Sequence, residues 1–268
     1  MRVNLEGRHS QERHMRTRRN RKSNTTGLEQ APAGGGRPKA SARALAQVIE
    51  RSYRIQGPAA EAYVTRLRDA HQGTSPAEIV AKLEKRYVTM VTLSGMAVGA
   101  AATIPGIGTI SALSAAAAET VAFLEATAFF VLALAVVYGI PADHRERRRA
   151  LVLTVLVGDN SKTAVADLIG PGRTSGAWIS EGVSALPLSS MSLLNSRLLK
   201  TWVKRYTVRR SALMFGKMLP VGIGVIVGAV GNYLAGKKIA RNARDAFGPP
   251  PARWPRNLHL VPPVSEAG

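Results

Sequence analysis

The chain of 268 residues contains no cysteine, which excludes disulfide-stapled secreted modules and zinc or iron–sulfur sites ligated by cysteine. Aromatic residues make up only 5% of it, and alanine and glycine crowd the apolar stretches, which disfavours a β-rich fold. Acidic residues are scarce as well, because 17 Asp and Glu stand against 37 Lys and Arg and leave a net charge of +20. Hydrophobic residues nevertheless reach 46%, so the chain is too apolar to be disordered throughout. The composition therefore favours a strongly basic helical protein.

Patterns that carry common enzyme chemistry are missing too. The five histidines form neither an HExxH nor an HxxxH pair, so the sequence offers no ligand set for a catalytic metal. The segment after Leu151–Val157 resembles a phosphate loop but lacks the glycine before Lys162. Residues 106–108 lack the third glycine of a dinucleotide fingerprint. We expect a non-enzymatic protein with no cofactor and no metal.

Composition divides the chain into three parts. Residues 1–40 carry ten Lys and Arg against three Glu, and no apolar segment follows the basic residues as it would in a signal peptide. We expect a disordered basic tail there. It is either a solvated tail, or translated upstream sequence with the true start at Met15 or later, or an arm that binds lipid or nucleic acid. Residues 248–268 contain six prolines and predict a second, Pro-rich disordered tail. Residues 41–247 predict one helical domain.

Three apolar helices are expected inside this domain. Residues 75–78, Ser-Pro-Ala-Glu, combine an N-cap, a first-turn proline and a capping-box glutamate, so a helix begins at Pro76 and runs to about Thr103. A second helix covers 109–139, and the last runs from Val221 to Phe247. The helix-break motif between the first two consists of Pro105, Gly106 and Gly108.

The first and the last apolar helix share two features. Each contains glycines four residues apart, Gly95 with Gly99 and Gly224 with Gly228, a spacing that allows helices to approach closely. Each also has a basic end. The basic residues are Lys82, Lys85 and Arg86 in the first helix and Lys237, Lys238, Arg241 and Arg244 in the last.

The apolar segments are long enough to cross a bilayer. Residues 87–140 suffice for two spans of about 20 residues, and basic flanks favour a hairpin with both ends in the cytoplasm. Glu119 and Glu125 oppose spanning, because an acidic residue near the centre of a span costs about 2.5–3.5 kcal/mol. Residues 218–236 are basic at both ends, which favours a re-entrant or shallow insertion. An integral hairpin, a peripheral or monotopic protein and a soluble bundle all stay open.

The expected fold class is all-α: a membrane-associated helical bundle with two hairpin-like apolar segments rich in glycine and alanine. A further, amphipathic helix is expected over 188–216. Its apolar side is formed by Leu198, Leu199, Trp202, Val203 and Tyr206. Basic residues on its other side suit the anionic headgroups of a membrane. These candidates for facing lipid are Arg197, Lys200, Lys204 and Arg205.

Three polar residues in the apolar helices are candidates for burial: Glu119, Glu125 and Asn232. A carboxylate in apolar surroundings needs a partner or takes up a proton, and an amide can both donate and accept. We expect the helix at 109–139 to pack on the helix at 221–247. Gly224, Gly228 and Gly231 would form this contact. Asn232 would then face Glu119 or the helix-break motif.

Several blocks of the domain match one bacterial family in order and spacing. They are Ile104–Gly108 followed by Glu119, Val137–Gly139 followed by Asp143, and the stretches Leu219–Gly224, Gly228–Asn232 and Ala243–Phe247. Over residues 75–247 the chain resembles the EcsC family, named after the third gene of an operon that encodes an ABC transporter. It departs from the family pattern at Glu119, where Asp is more usual, and at 221–222. The resemblance implies an α-helical, membrane-associated protein, an accessory role in transport or secretion, and a membrane transporter as partner.

We therefore expect a non-enzymatic helical protein on the cytoplasmic face of a bacterial membrane, with anionic membrane lipid as a partner. One alternative is a soluble basic module that binds nucleic acid, which the few aromatic residues on its basic face disfavour. Another is an intracellular lipid-binding bundle. Its internal pocket would be lined by Glu119, Glu125 and Asn232.

Overall fold

The computed structural model describes residues 47, 56–71, 73–101, 109–142, 144–169, 178–183, 186–213 and 223–255. Within these ranges every regular element is helical and there is no strand, so the all-α prediction is confirmed. Residues 56–69 form helix α1. The following elements are α2 (Pro76–Ala101), α3 (Thr109–Tyr138), α4 (Arg145–Val157), α5 (Asp159–Ile169), a π-helical turn (Ile179–Val183), α6 (Leu188–Leu213) and α7 (Ile223–Phe247).

The ends of these helices follow local rules. The Glu78 N–H donates to Ser75 Oγ at 3.3 Å, so the predicted N-cap starts α2. Gly139 follows α3 with φ +64°, and Gly158 follows α4 with φ +71°, left-handed values that glycine adopts without a steric penalty. The Gly158 N–H donates to the Thr154 carbonyl at 2.9 Å and so satisfies a carbonyl at the end of α4.

The core forms around the C-terminal half of α3. Every residue from Val131 to Val137 is buried, and α4 adds a second continuous buried stretch, Ala150–Val157. α2 packs on α3, and α4 packs on α6 as well as on α3 and α7. Two apolar helix segments buried on all sides therefore hold the remaining helices around them.

One helix of the described part of the chain is long and apolar enough to cross a membrane. This is α3, over Ala117–Tyr138, with a mean hydropathy of 2.3. The core helix of a soluble protein meets the same criterion, and 61% of the most apolar window of α3 is buried inside the protein. The expected pair of hairpin-like spans is therefore not confirmed, because α3 is occupied by packing against protein.

The predicted disordered C-terminal tail differs from the structure over residues 248–255, which pack against the helices. Trp254 Nε1 donates to the Thr74 carbonyl at 3.0 Å, and the Arg68 guanidinium lies 5.1 Å from the centroid of the Trp254 ring. Tyr138 Oη donates to the Gly248 carbonyl at 2.7 Å. Residues 1–40 and 256–268 lie outside the described residues.

A buried hydrogen bond connects α2 to α3. Tyr87 Oη and Thr127 Oγ1 lie 2.9 Å apart, and the Tyr87 ring stacks on Phe130 at a centroid distance of 4.5 Å. Thr127 Oγ1 donates its one hydrogen to the Phe123 carbonyl at 2.7 Å, so Tyr87 must be the donor to Thr127. Burial raises the pKa of Tyr87 well above its ordinary value, so the phenol keeps this hydrogen.

Thr127→Val should lower the free energy of unfolding by about 1–3 kcal/mol, because the buried Tyr87 hydroxyl loses its acceptor. Adding Tyr87→Phe should recover part of this loss, since no unsatisfied hydroxyl then remains. Urea unfolding of both single variants and of the double variant measures the coupling. A double variant less stable than Thr127→Val alone would contradict the assigned bond.

Candidate functional site

α2 and α7 run antiparallel and form the largest helix interface of the described residues. Glycines make the contact. A Cβ atom on Gly95 would overlap the carbonyl oxygen of Gly228, and one on Gly99 would overlap that of Gly224. Backbones come this close only where a side chain is missing. The two glycine pairs found in the sequence are therefore partners of each other.

Asn232 adds a hydrogen bond to this interface. Its Nδ2 donates to the Val91 carbonyl of α2 at 2.9 Å. A Cβ on Gly95 would lie 2.7 Å from the same Nδ2, so the glycine also makes room for the amide. This corrects the predicted pairing of Asn232 with Glu119, because an amide hydrogen of Asn232 goes to the backbone of α2. The alternative placement near Pro105, Gly106 and Gly108 falls on residues outside those that the structure describes.

The helix against which the α7 glycines pack was also predicted wrongly. Gly224 and Gly228 face α2, and a Cβ on Gly231 would meet nothing within 4 Å. α3 and α7 make a small contact, in which the rings of Tyr138 and Phe247 lie 5.0 Å apart. α3 contains no glycine, so it cannot offer α7 the close backbone approach that α2 offers.

The glycine contacts determine which residues of α2 and α7 lie at the same level. Gly95 faces Gly228 and Gly99 faces Gly224, so each step back along α2 corresponds to a step forward along α7. Residues far apart in the chain thus lie at the same level along the pair. The level pairs that follow are Leu93 with Val230, Met90 with Tyr233, Arg86 with Lys237 and Lys85 with Lys238.

One end of the α2–α7 pair is basic. We call it the basic collar, and its residues are Lys82, Lys85 and Arg86 of α2 with Lys237, Lys238 and Arg241 of α7. Lys82 is half-buried and the other five are exposed. Glu84 lies in the same region of α2, but its negative charge is compensated by Arg244, whose Nη2 lies 3.2 Å from Glu84 Oε1. The collar therefore concentrates positive charge from both helices.

The other end of the pair is apolar and exposed. We call it the apolar tip. Its exposed side chains are Met90, Leu93, Met96, Ile226, Val227, Val230, Tyr233 and Leu234, with exposed fractions from 38% to 64%. In the described part of the chain, the other exposed large hydrophobic residues are Leu188 and Leu193 on α6. Exposed apolar surface is thus concentrated next to the collar.

The two helices of the tip point their exposed side chains away from each other. At about 100° per residue, Leu93 lies roughly 160° around α2 from Gly95, and Val230 lies roughly 160° around α7 from Gly228. The apolar strips therefore lie on opposite outer sides of the pair. One flat protein surface cannot cover both strips, whereas lipid can surround the tip.

The length of the tip matches one leaflet of a bilayer. From Met90 to Ala101 α2 rises about 17 Å, and α7 rises as far over residues 223–234. The hydrocarbon core of a bilayer is about 30 Å thick, so one leaflet contributes about 15 Å. Over these described residues the apolar part of the pair is therefore about as long as one leaflet is thick.

The predicted buried and helix-break residues lie as follows. Glu119 and Glu125 are half-buried on α3 rather than buried. Glu119 makes an interaction within the protein. Pro105, Gly106 and Gly108 lie outside the described residues. The described residues contain no group of three or more His, Asp or Glu that could hold a metal ion.

The four basic residues of α6 predicted to face lipid, Arg197, Lys200, Lys204 and Arg205, are all exposed. Two of them contact protein. Arg205 Nη1 donates to the Val157 carbonyl at 3.2 Å, at the C-terminus of α4 where a cation is favourable. Arg197 Nη1 lies 3.9 Å from Asp167 Oδ2, a weak pair because both side chains are exposed. The basic face of α6 thus partly serves to hold α4 and α5.

The sequence shows the basic and apolar ends of α2 and α7, but the patterns alone did not show that these ends lie together as the collar and the tip. The basic ends of the first and last apolar helices were separate observations. An antiparallel contact between the equally spaced glycine pairs would have placed the basic ends of the two helices at the same level.

Comparison with known proteins identified no relative of this chain. No family model matches the chain, and neither the curated proteins nor the solved structures gave a match.

Gly228→Ala should destabilise the protein by about 1–3 kcal/mol, because its methyl group would collide with the backbone of α2. Gly231→Ala is the matched control, since it lies in the same helix with open space around it. It should be neutral or stabilising by up to about 1 kcal/mol, through helix propensity alone. Thermal unfolding followed by circular dichroism compares the two, and equal effects would contradict the glycine contact.

Proposed function

We propose that this protein is a non-enzymatic membrane protein that inserts its apolar tip into one leaflet on the cytoplasmic side of a bacterial membrane. The observation that supports the proposal most directly is the exposed apolar tip next to a basic collar. Apolar side chains gain free energy when they leave water for lipid. Basic side chains one turn away would then lie among anionic headgroups.

The dimensions favour a monotopic arrangement over the integral hairpin and the soluble bundle. Over its described residues the tip is about as long as one leaflet is thick, and the C-terminal half of α3 is buried in the protein core. Glu119, which opposes a full span, is half-buried and engaged within the protein. Shallow insertion therefore avoids placing α3 across the bilayer.

The cytoplasmic side follows from the charge. Basic residues next to apolar segments favour the cytoplasmic face, and that leaflet carries anionic lipid. The nucleic-acid alternative explains the collar but leaves the tip exposed to water. Tyr233 is the one aromatic residue among the tip side chains, so the tip also lacks the stacking platforms that single-stranded nucleic acids use.

A role in transport or secretion is proposed from the resemblance to the EcsC family. In that role the protein is an accessory to a membrane transporter. Insertion in one leaflet leaves the rest of the helical domain in the cytoplasm, where it would be accessible to the cytoplasmic part of such a partner.

Leu93→Glu should reduce binding to phospholipid vesicles by at least about tenfold, because the side chain loses its apolar burial and adds a charge to the tip. Leu193→Glu is the matched control. Leu93 is 57% exposed and Leu193 is 58% exposed, and both lie within helices, but Leu193 is on the basic face of α6. Vesicle flotation of the full chain measures both variants.

Equal losses for Leu93→Glu and Leu193→Glu would contradict the assignment to the tip. A larger loss for Leu193→Glu would assign membrane contact to α6 instead. Failure of the unaltered chain to float with any vesicle would overturn the proposal as a whole.

A further inference from the structure

A groove of about 350 Å³ lies between α2 and α7, where the basic collar meets the apolar tip. Lys85 and Thr89 line it from α2, and Lys237 and Tyr233 line it from α7, with Val88 as an apolar contact. The glycine register brings the two lysines to nearly the same level. The groove therefore holds positive charge from two helices in one concave surface.

The chemistry of the groove changes in the direction of the tip. The ammonium groups of Lys85 and Lys237 come first. The hydroxyl groups of Thr89 and Tyr233 follow one helical turn, about 6 Å, further along. Met96, seven residues after Thr89 and so on the same face of α2, adds an exposed apolar side chain beyond them. Charge, hydroxyl groups and hydrocarbon thus succeed one another along a single line.

We infer that this groove binds one anionic phospholipid through its phosphate. The phosphate lies between Lys85 and Lys237, since ammonium groups bind phosphate as point charges. The hydroxyl groups of Thr89 and Tyr233 donate to the oxygens of the lipid glycerol region. The acyl chains then run along the apolar tip. This inference rests on the proposed function, because insertion of the tip brings lipid to the groove.

Glu84 also lines the groove, and a free carboxylate would repel a phosphate. Its side chain is only 18% exposed, and its Oε1 lies 3.2 Å from Arg244 Nη2. The Glu84 charge is therefore compensated by Arg244. Lys85 and Lys237 remain as the net charge that faces an anion.

A pair of charge-neutralising variants tests the site in the full chain. Lys85→Gln with Lys237→Gln removes the two groove lysines. Lys82→Gln with Lys238→Gln removes one lysine from each helix of the same collar, outside the groove. Binding is measured to vesicles of phosphatidylcholine with and without phosphatidylglycerol. We expect the preference for phosphatidylglycerol to fall at least about tenfold further in the groove variant than in the control.

A second variant separates a specific site from general charge attraction. Thr89→Val with Tyr233→Phe removes both hydroxyl groups and leaves the net charge unchanged. We expect the preference for phosphatidylglycerol to fall about fivefold or more, because donors to the lipid are lost. Circular dichroism checks that every variant is folded. Equal effects of the two lysine pairs together with no effect of the hydroxyl variant would overturn the site.

Inorganic phosphate distinguishes a lipid headgroup from a soluble phosphate. It should compete weakly with the vesicles, since it lacks the acyl chains that the tip binds. Strong competition by inorganic phosphate, or its binding without any binding to vesicles, would overturn the lipid assignment. Unequal losses for Leu93→Glu and Leu193→Glu would still support the membrane tip in that case, so the two proposals fail separately.

Discussion

Where α2 crosses α7, backbone meets backbone, because Gly95, Gly99, Gly224 and Gly228 place carbonyl oxygens where side chains would otherwise lie. This contact fixes which residues of α2 and α7 lie at the same level. The alignment places the basic ends of both helices at one level and their apolar ends at the other. Each helix also turns its apolar strip outwards, since the face towards its partner is occupied by glycine. The collar, the tip and the groove between them are thus consequences of one close helix contact.

The same arrangement divides the three apolar helices between two tasks. The C-terminal half of α3 is buried and serves as the core. α2 and α7 contribute their basic halves to the bundle surface around that core and expose their apolar halves beyond it. Eight exposed large apolar side chains on one helix pair call for a partner, and strips on opposite sides of the pair fit lipid better than one flat protein surface.

Features set by neighbouring residues could be predicted from the sequence. The cap at Ser75 and Glu78 placed the start of α2, and the 100° periodicity placed Leu198 on the buried side of α6. Features set by distant residues could not. Glycine spacing indicated a close contact but not whether α2 or α3 would meet α7, and Asn232 was therefore assigned the wrong partner. Proline content predicted disorder for 248–255, because composition does not register that the Trp254 ring docks beside Arg68.

Depth measurement on single-cysteine variants tests the central claim most directly, and the chain has no native cysteine to interfere. Leu93→Cys, Ile226→Cys and Leu193→Cys would each carry an environment-sensitive label on vesicles that contain either an acyl-chain quencher or an aqueous quencher. Insertion of the tip predicts that the acyl-chain quencher acts on the labels at positions 93 and 226, while the aqueous quencher acts on the label at 193. Equal aqueous quenching at all three positions in the presence of membranes would contradict it.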